Sequence, residues 1–243
     1  MASVIHDTYE TYSSNLNLVL LFSIPFIIAF VIPLLAPLPT YISLGGIFLR
    51  SASIFTNLGF FGLAVIIVAF FFSLLFISFA FVAISLIVKA RRTRMKIGRR
   101  AIQGIERYIG KVFLVFIIYA VMLSLANLVG YYLGIEALLT GIVGFFGFIP
   151  FFYAPSAIVV DEQRLGRAMK NSVRLVVKDP KYFVAWFVLI GIVLSLISVV
   201  FIALTGTFWS RYIILVLSSL FVLPYFVIFQ AEAYMKRFPI LRH

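Results

Sequence analysis

The chain has 243 residues, 64% hydrophobic and 12% charged, with a formal net charge of +12 and a mean hydropathy of +1.17. A soluble domain carries about 25% charged residues, so half that fraction excludes an ordinary water-soluble fold. There is no Cys, which rules out disulfides, thiolate catalysis and Cys-held metal sites, and the two His are His6 and His243.

Residues 1–14 are polar and mildly acidic, with Asp7 and Glu10, and show neither the basic region nor the small-residue cleavage site of a cleaved signal peptide. The first span is expected over residues 15–35, kinked at Pro25 and ended by Pro33, Pro37 and Pro39. An apolar loop with Gly45, Gly46 and Arg50 runs to about Asn57 and is expected to lie on the membrane. The second span, 58–88, would reach about 46 Å at ~1.5 Å per residue, against a hydrocarbon core of roughly 30 Å. It should tilt, or project past the lipid at its basic end.

Residues 90–111 then read as a basic surface helix, with Ile102, Ile105, Ile109 and Val112 as its apolar stripe. The third span, 112–133, and the fourth, 137–154, are joined by Gly134-Ile135-Glu136 and form an antiparallel hairpin. Gly141, Gly144 and Gly147 allow close helix packing in the fourth span, and Pro150 and Pro155 bend or finish it. A second surface helix is expected over 161–178. Asp161 is its expected N-cap, and Asp179-Pro180 closes it and opens the next helix. Leu165, Ala168, Met169, Ser172, Val173 and Val176 share one face; Arg164, Arg167, Lys170, Arg174 and Lys178 fall largely on the other. The fifth and sixth spans, 182–204 and 212–233, complete the set, with Pro224 kinking the last.

Eighteen of the twenty Lys and Arg fall in three segments: nine in 89–111, six in 164–181 and three in 236–242. With six spans these lie on one side, which the positive-inside rule places in the cytoplasm together with both termini. Tyr131, Tyr132, Trp209 and Tyr212 would mark the outer interface, and Tyr182 and Trp186 the inner one. Arg100-Ala101-Ile102 with Arg107 echoes Arg167-Ala168-Met169 with Arg174 at a constant offset of 67 residues. This suggests a parallel internal repeat, although two basic amphipathic helices align somewhere in any case.

The stretch SAIVVDEQRLGRAMKNSVRLVVKDPKYFVAWFVLIGIVL, through Pro155, Val159, Val160, Asp161, Ala168, Ser172 and Arg174, resembles a segment of six-helix bacterial and archaeal membrane proteins. That set includes the YciC-like inner-membrane proteins and the membrane domain fused to some glycerophosphodiester phosphodiesterases. The resemblance implies a six-span fold. It carries over no activity, since the phosphodiesterase catalytic domain is missing.

No Walker, G-x-S-x-G or H-E-x-x-H sequence occurs, and the eight acidic residues are scattered. Glu232 is expected to pair with Lys236 at i+4. Inside the spans the polar candidate is Asn127, read as a hydrogen-bonding partner of a neighbouring helix or, alternatively, as a substrate contact. The expectation is therefore an all-α polytopic integral membrane protein, a single domain over 1–243 with two amphipathic basic helices on the inner leaflet. Its expected role is non-enzymatic, as a lipid-interacting or scaffold protein. Arg91, Arg92, Arg94, Lys96, Arg99, Arg100 and Arg107, with Arg164, Arg167, Lys170 and Arg174, would hold anionic headgroups. The alternative is a transporter or permease subunit, with Pro25, Pro150 and Pro224 as hinges. No metal or cofactor is expected, nor nucleic acid, for want of an aromatic-interleaved basic platform. The expected partners are membrane lipids, with a homo-oligomer or a membrane-complex partner left open.

Overall fold

The polar N-terminal stretch folds as a helix, α1 (Ala2–Ser14), and its Thr side chains make their own local bonds. Thr8 Oγ1 donates to Val4 O at 2.7 Å and Thr11 Oγ1 to Asp7 O at 2.8 Å, so both hydroxyls can be buried at no loss of hydrogen bonding. Asn15 Nδ2 donates to Thr11 O at 3.0 Å, satisfying a carbonyl left open at the helix end. There the chain turns by 91° into α2 (Leu16–Leu35). The structure, a computed structural model, describes residues 2–35, 40–43, 46–49, 60–93 and 99–237.

Among the described residues the chain is helical apart from one antiparallel ribbon. In it β1 (Thr40–Ser43) pairs with β2 (Gly46–Leu49), Thr40 opposite Leu49 and Ser43 opposite Gly46. The ribbon occupies part of the expected loop; the rest of that loop lies outside the described residues. α3 (Phe60–Thr93) packs along α2, with the Ser73 hydroxyl bonded to Ala29 O, a pair of small residues that lets the backbones approach.

α4 (Arg99–Leu133) corrects one expectation: residues 99–111 are not a separate surface helix but the first turns of the same helix as the span. The reason is an unbroken buried stripe, Ile105, Tyr108, Val112 and Val115, which crosses the compositional boundary without a change of phase. Lys89 to Thr93 likewise continue α3, and the connection at 94–98 lies outside the described residues. α4 ends in a paired C-terminal bond set. Ile135 N donates to Gly130 O at 2.9 Å, and Gly134 N to Tyr131 O at 3.2 Å, with Gly134 at φ +70°. A Cβ on Gly130 would stand 2.8 Å from the Glu136 backbone, so the tight hairpin requires glycine there.

The return strand of helix is broken into α5 (Glu136–Gly147), α6 (Ile149–Phe152) and α7 (Ala154–Val160), bent by 47°. Pro150 and Pro155 each sit in a first turn, where a missing N–H costs nothing. Every residue of α7 is buried, and Ser156 is its one polar side chain. It threads the core between the basic half of α3 and the C-terminal helix. α8 (Leu165–Lys178) follows, then α9 (Lys181–Leu217), which turns back on itself at Gly206 with φ +71°. A π-helical turn (Ser218–Val222) leads into α10 (Leu223–Arg237); Pro224 cannot donate to the preceding turn, and the wide turn accommodates it.

Phe60–Arg91, Ile105–Leu133, Lys181–Gly206 and Trp209–Lys236 are long and apolar enough to cross a membrane; counting each bent pair as one span raises these four to as many as six. Leu125, Val129, Leu138, Phe146, Val188, Leu196 and Val199 are exposed apolar side chains along them, as lipid-facing surface requires. The core holds an aromatic cluster of Phe148, Phe152, Phe183, Trp186 and Phe187. Of the two aromatic residues at the start of α9, Tyr182 is buried, and the Trp186 indole donates to Phe226 O at 3.1 Å inside the bundle. Tyr132 and Trp209, by contrast, are well exposed.

Candidate functional site at the basic end

The loop between α7 and α8, Asp161-Glu162-Gln163-Arg164, gathers four helices. Asp161 is not the N-cap of α8: it closes α7, and α8 begins after Arg164 with no side-chain cap. Its carboxylate instead accepts from the Tyr234 hydroxyl of α10 at 2.5 Å and from Gln163 Nε2 at 3.4 Å. Gln163 Nε2 also donates to the Tyr234 oxygen at 3.2 Å, and Gln163 Oε1 accepts from Asn171 of α8 at 2.8 Å. Asp179 does sit at the C-terminal end of α8, its N–H bonded to Leu175 O at 2.9 Å and its carboxylate 3.5 Å from Lys181; Pro180 opens α9.

Glu162 stands at φ +55°, a left-handed conformation unusual for a residue with a side chain. That turn aims its carboxylate at α3 and α4. It meets Lys89 at 3.2 Å and Arg107 at 2.9 Å. The Tyr108 hydroxyl, first, and then Lys89 and Arg107 hold its carboxyl below the ordinary carboxylate value. Lys89 Nζ also donates to Val159 O at 2.9 Å, a cation at the C-terminal end of α7, where the helix dipole favours it.

α8 is fastened from below by Ser172. Its hydroxyl donates to Ile149 O at 2.6 Å and accepts from Tyr153 N at 2.9 Å, at the α6–α7 break. Ala168, Ser172, Leu175 and Val176 form the buried face. The expected face was rotated: Leu175 belongs to it and Val173 does not. Val173 and Val177 are 37% and 72% exposed, and with half-buried Met169 they make an apolar flank beside the core-facing stripe. Arg164, Arg167, Lys170, Arg174 and Lys178 are all exposed, and none has an ion-pair partner among the described residues.

A comparison with family models, curated proteins and solved structures gave no match.

The cations expected to act with α8 divide into two kinds. Arg91 is held inside the fold: Nη2 lies 2.6 Å from Glu10 Oε1, and Nη1 donates to Asp7 O at 3.2 Å and to Thr11 Oγ1. Arg107 is held by Glu162 and lies 5.7 Å from the Tyr108 ring centroid. Arg92, Arg99 and Arg100 lie in helices, but their side chains, like Arg94 and Lys96 altogether, fall outside the described residues. The structure therefore separates the basic segments: α8 offers free charge, whereas Lys89, Arg91 and Arg107 close internal pairs.

One acidic expectation also changes. Glu232 does not pair with Lys236: it is buried and its Oε1 lies 2.9 Å from Thr11 Oγ1, while Lys236 Nζ meets Ser3 Oγ. Glu136 accepts from Asn127 Nδ2 at 2.9 Å, which ties α4 to α5; Asn127 also reaches Thr140 at 3.4 Å. His6, Asp7 and Glu10 bring ligand atoms within 4.8 Å of one another, yet Glu10 already holds the Arg91 guanidinium, which takes the place a cation would fill. Sequence reasoning missed Gln163, Asn171, Tyr234 and Thr11. The one available signal was the polar interruption Gln230-Ala231-Glu232-Ala233-Tyr234 in an otherwise apolar last span.

Proposed function

We propose that this is a non-enzymatic integral membrane protein of the cell membrane that engages anionic lipid headgroups through α8. The observation that carries the reading is the three-sided character of α8. One side packs on the bundle, a second exposes Met169, Val173 and Val177, and the third presents Arg164, Arg167, Lys170, Arg174 and Lys178, none of which has an ion-pair partner among the described residues. A helix of that kind lies in the plane of a bilayer, its valines against acyl chains and its arginines among phosphates. Each cation near an anionic leaflet contributes about 1 kcal/mol.

Six crossings are part of this reading. Ser3 touches Lys236, Arg91 touches Glu10, and Lys89 and Arg107 meet at Glu162, so both described ends of the chain gather at one end of the bundle. An even number of crossings suits that placement, and six are reached when each bent pair is counted as one span. The excess of Lys and Arg at that end argues for the cytoplasmic side. Kinship with the six-helix YciC-like proteins, through Pro155 to Arg174, belongs to the same proposal, as does the parallel repeat.

The test is lipid retention. Protein extracted gently and titrated with phosphatidylglycerol or phosphatidylcholine should hold the anionic lipid preferentially in native mass spectrometry, less so as salt rises. Replacing Arg164, Arg167, Lys170 and Arg174 together by Gln should abolish the preference with the fold intact, since all four are exposed. Unchanged retention by that variant would assign the charges to topology alone.

A further inference from the structure

We propose that α1 is a second membrane-surface helix, whose Ile5–Tyr9 edge seats in the interface of the bilayer. The proposal rests on α2 crossing the membrane, but not on headgroup binding by α8. Since α1 turns 91° away from α2 at Asn15, an α2 that crosses the bilayer leaves α1 lying along its surface. The sides of α1 then have distinct surroundings. Val4, Thr8 and Thr11 are buried against α10. On the flank one way round, Ile5 is 39% and Tyr9 65% exposed, four residues apart and thus one turn along the same edge. On the opposite flank stand Asp7, Glu10 and Ser14, polar groups suited to water.

The apolar flank is continuous with lipid-facing surface. Leu16 follows it in the chain, and Leu21, Ile24 and Ile28 extend the exposed apolar stripe down α2. A Tyr at the junction of such a stripe with a polar edge has the place interfacial aromatics take, ring in the apolar region and hydroxyl toward headgroups. An acidic helix would be repelled by an anionic leaflet, and here the Arg91–Glu10 pair at 2.6 Å removes one of its two negative charges. α1 is also joined to the basic ends of two long helices: to α3 through Arg91, and to α10 through Glu232 and Lys236. The bilayer interface thereby sets the depth of both.

The chain contains no Cys, so single-Cys variants need no background removal. Ile5→Cys, Tyr9→Cys and Ser14→Cys, spin-labelled and placed in vesicles of phosphatidylcholine and phosphatidylglycerol, are read by collision with oxygen and with a water-soluble nickel chelate. The oxygen-to-nickel ratio should be several-fold higher at positions 5 and 9 than at 14. Equal ratios at all three would overturn the proposal by placing α1 in water. Spin–spin broadening at position 9 that survives dilution with excess lipid would also overturn it, by showing that a second copy covers the edge. A Tyr9→Trp variant supplies a reading without a label: its added fluorescence should be quenched by lipids brominated near the headgroup, and no added quenching counts against the proposal. The α8 quadruple Gln variant should leave these depths unchanged, which keeps this result separate from that of the lipid-retention experiment.

Discussion

The hydroxyl of Tyr234 donates a 2.5 Å hydrogen bond to Oδ2 of Asp161, joining residues 73 positions apart. The bond ties the last helix to the loop that aims α8. Gln163 bonds to both partners, so the three side chains form one closed set. Losing the hydroxyl leaves Asp161 and Gln163 each short of a partner in a partly buried place.

Tyr234→Phe should therefore destabilise the protein by about 1–3 kcal/mol, the cost of a half-satisfied buried group. Thermal unfolding in detergent micelles measures it. Because the groups act together, Tyr234→Phe and Asp161→Asn should be non-additive, with a coupling of about 0.5–3 kcal/mol in a double-mutant cycle. Additive losses would mean the bond does not hold the loop.

Acid should loosen the same region through Glu162. Its carboxyl is held below the ordinary carboxylate value in the folded protein, chiefly by Tyr108 and then by Lys89 and Arg107. A depressed carboxylate contributes stability that is present above its unfolded value and is lost as pH falls through the folded one. Unfolding temperature should thus drop as pH falls below about 4.5, and Glu162→Gln should flatten that acid limb while being less stable at neutral pH. Glu162→Gly separates charge from backbone: it too loses the ion pairs, but it relieves the left-handed conformation at φ +55° and should stand above the Gln variant at every pH, since neither carries the charge.

Where sequence and structure agree, a single residue decides the local geometry. Gly134 in a two-residue connection, and Pro150 and Pro155 inside an apolar run, allow few alternatives, and the hairpin and the broken helix follow. Where they differ, the deciding partner is remote. Asp161 has the chemistry of an N-cap, but Tyr234 competes for its carboxylate. α1 looks like a polar tail until Thr11 is seen to meet Glu232, 221 residues away. The basic start of α4 changes composition without changing helical phase, so it reads as a separate element although its buried stripe runs straight on. The five cations of α8, which have no ion-pair partner among the described residues, could not be told from Arg91 and Arg107 by counting, because only the fold brings Glu10 and Glu162 to the latter two.

The face of α8 is the remaining case, and it gives the last prediction. Val173, Leu175, Val176 and Val177 spread apolar character around most of a turn, so periodicity alone does not fix which of them point inward. In the structure Val176 is 4% exposed and Val173 37%. Val176→Asp places a carboxylate in the packed face beside Ala168 and Ser172, with no basic partner on that face, and should cost about 3–5 kcal/mol as an uncompensated buried charge. Val173→Asp should leave the micelle-solubilised fold close to unchanged, because the new charge reaches the solvent. In vesicles the two should converge, since the flank that holds Val173 then faces acyl chains rather than water. Lys170→Asp should be tolerated in both settings as far as folding goes. Unfolding temperatures of the three variants, in micelles and in vesicles, measure the whole pattern. If Val173→Asp is as damaging as Val176→Asp in micelles, the helix is rotated from the position described. If Val173→Asp is harmless in vesicles too, α8 stands clear of the membrane.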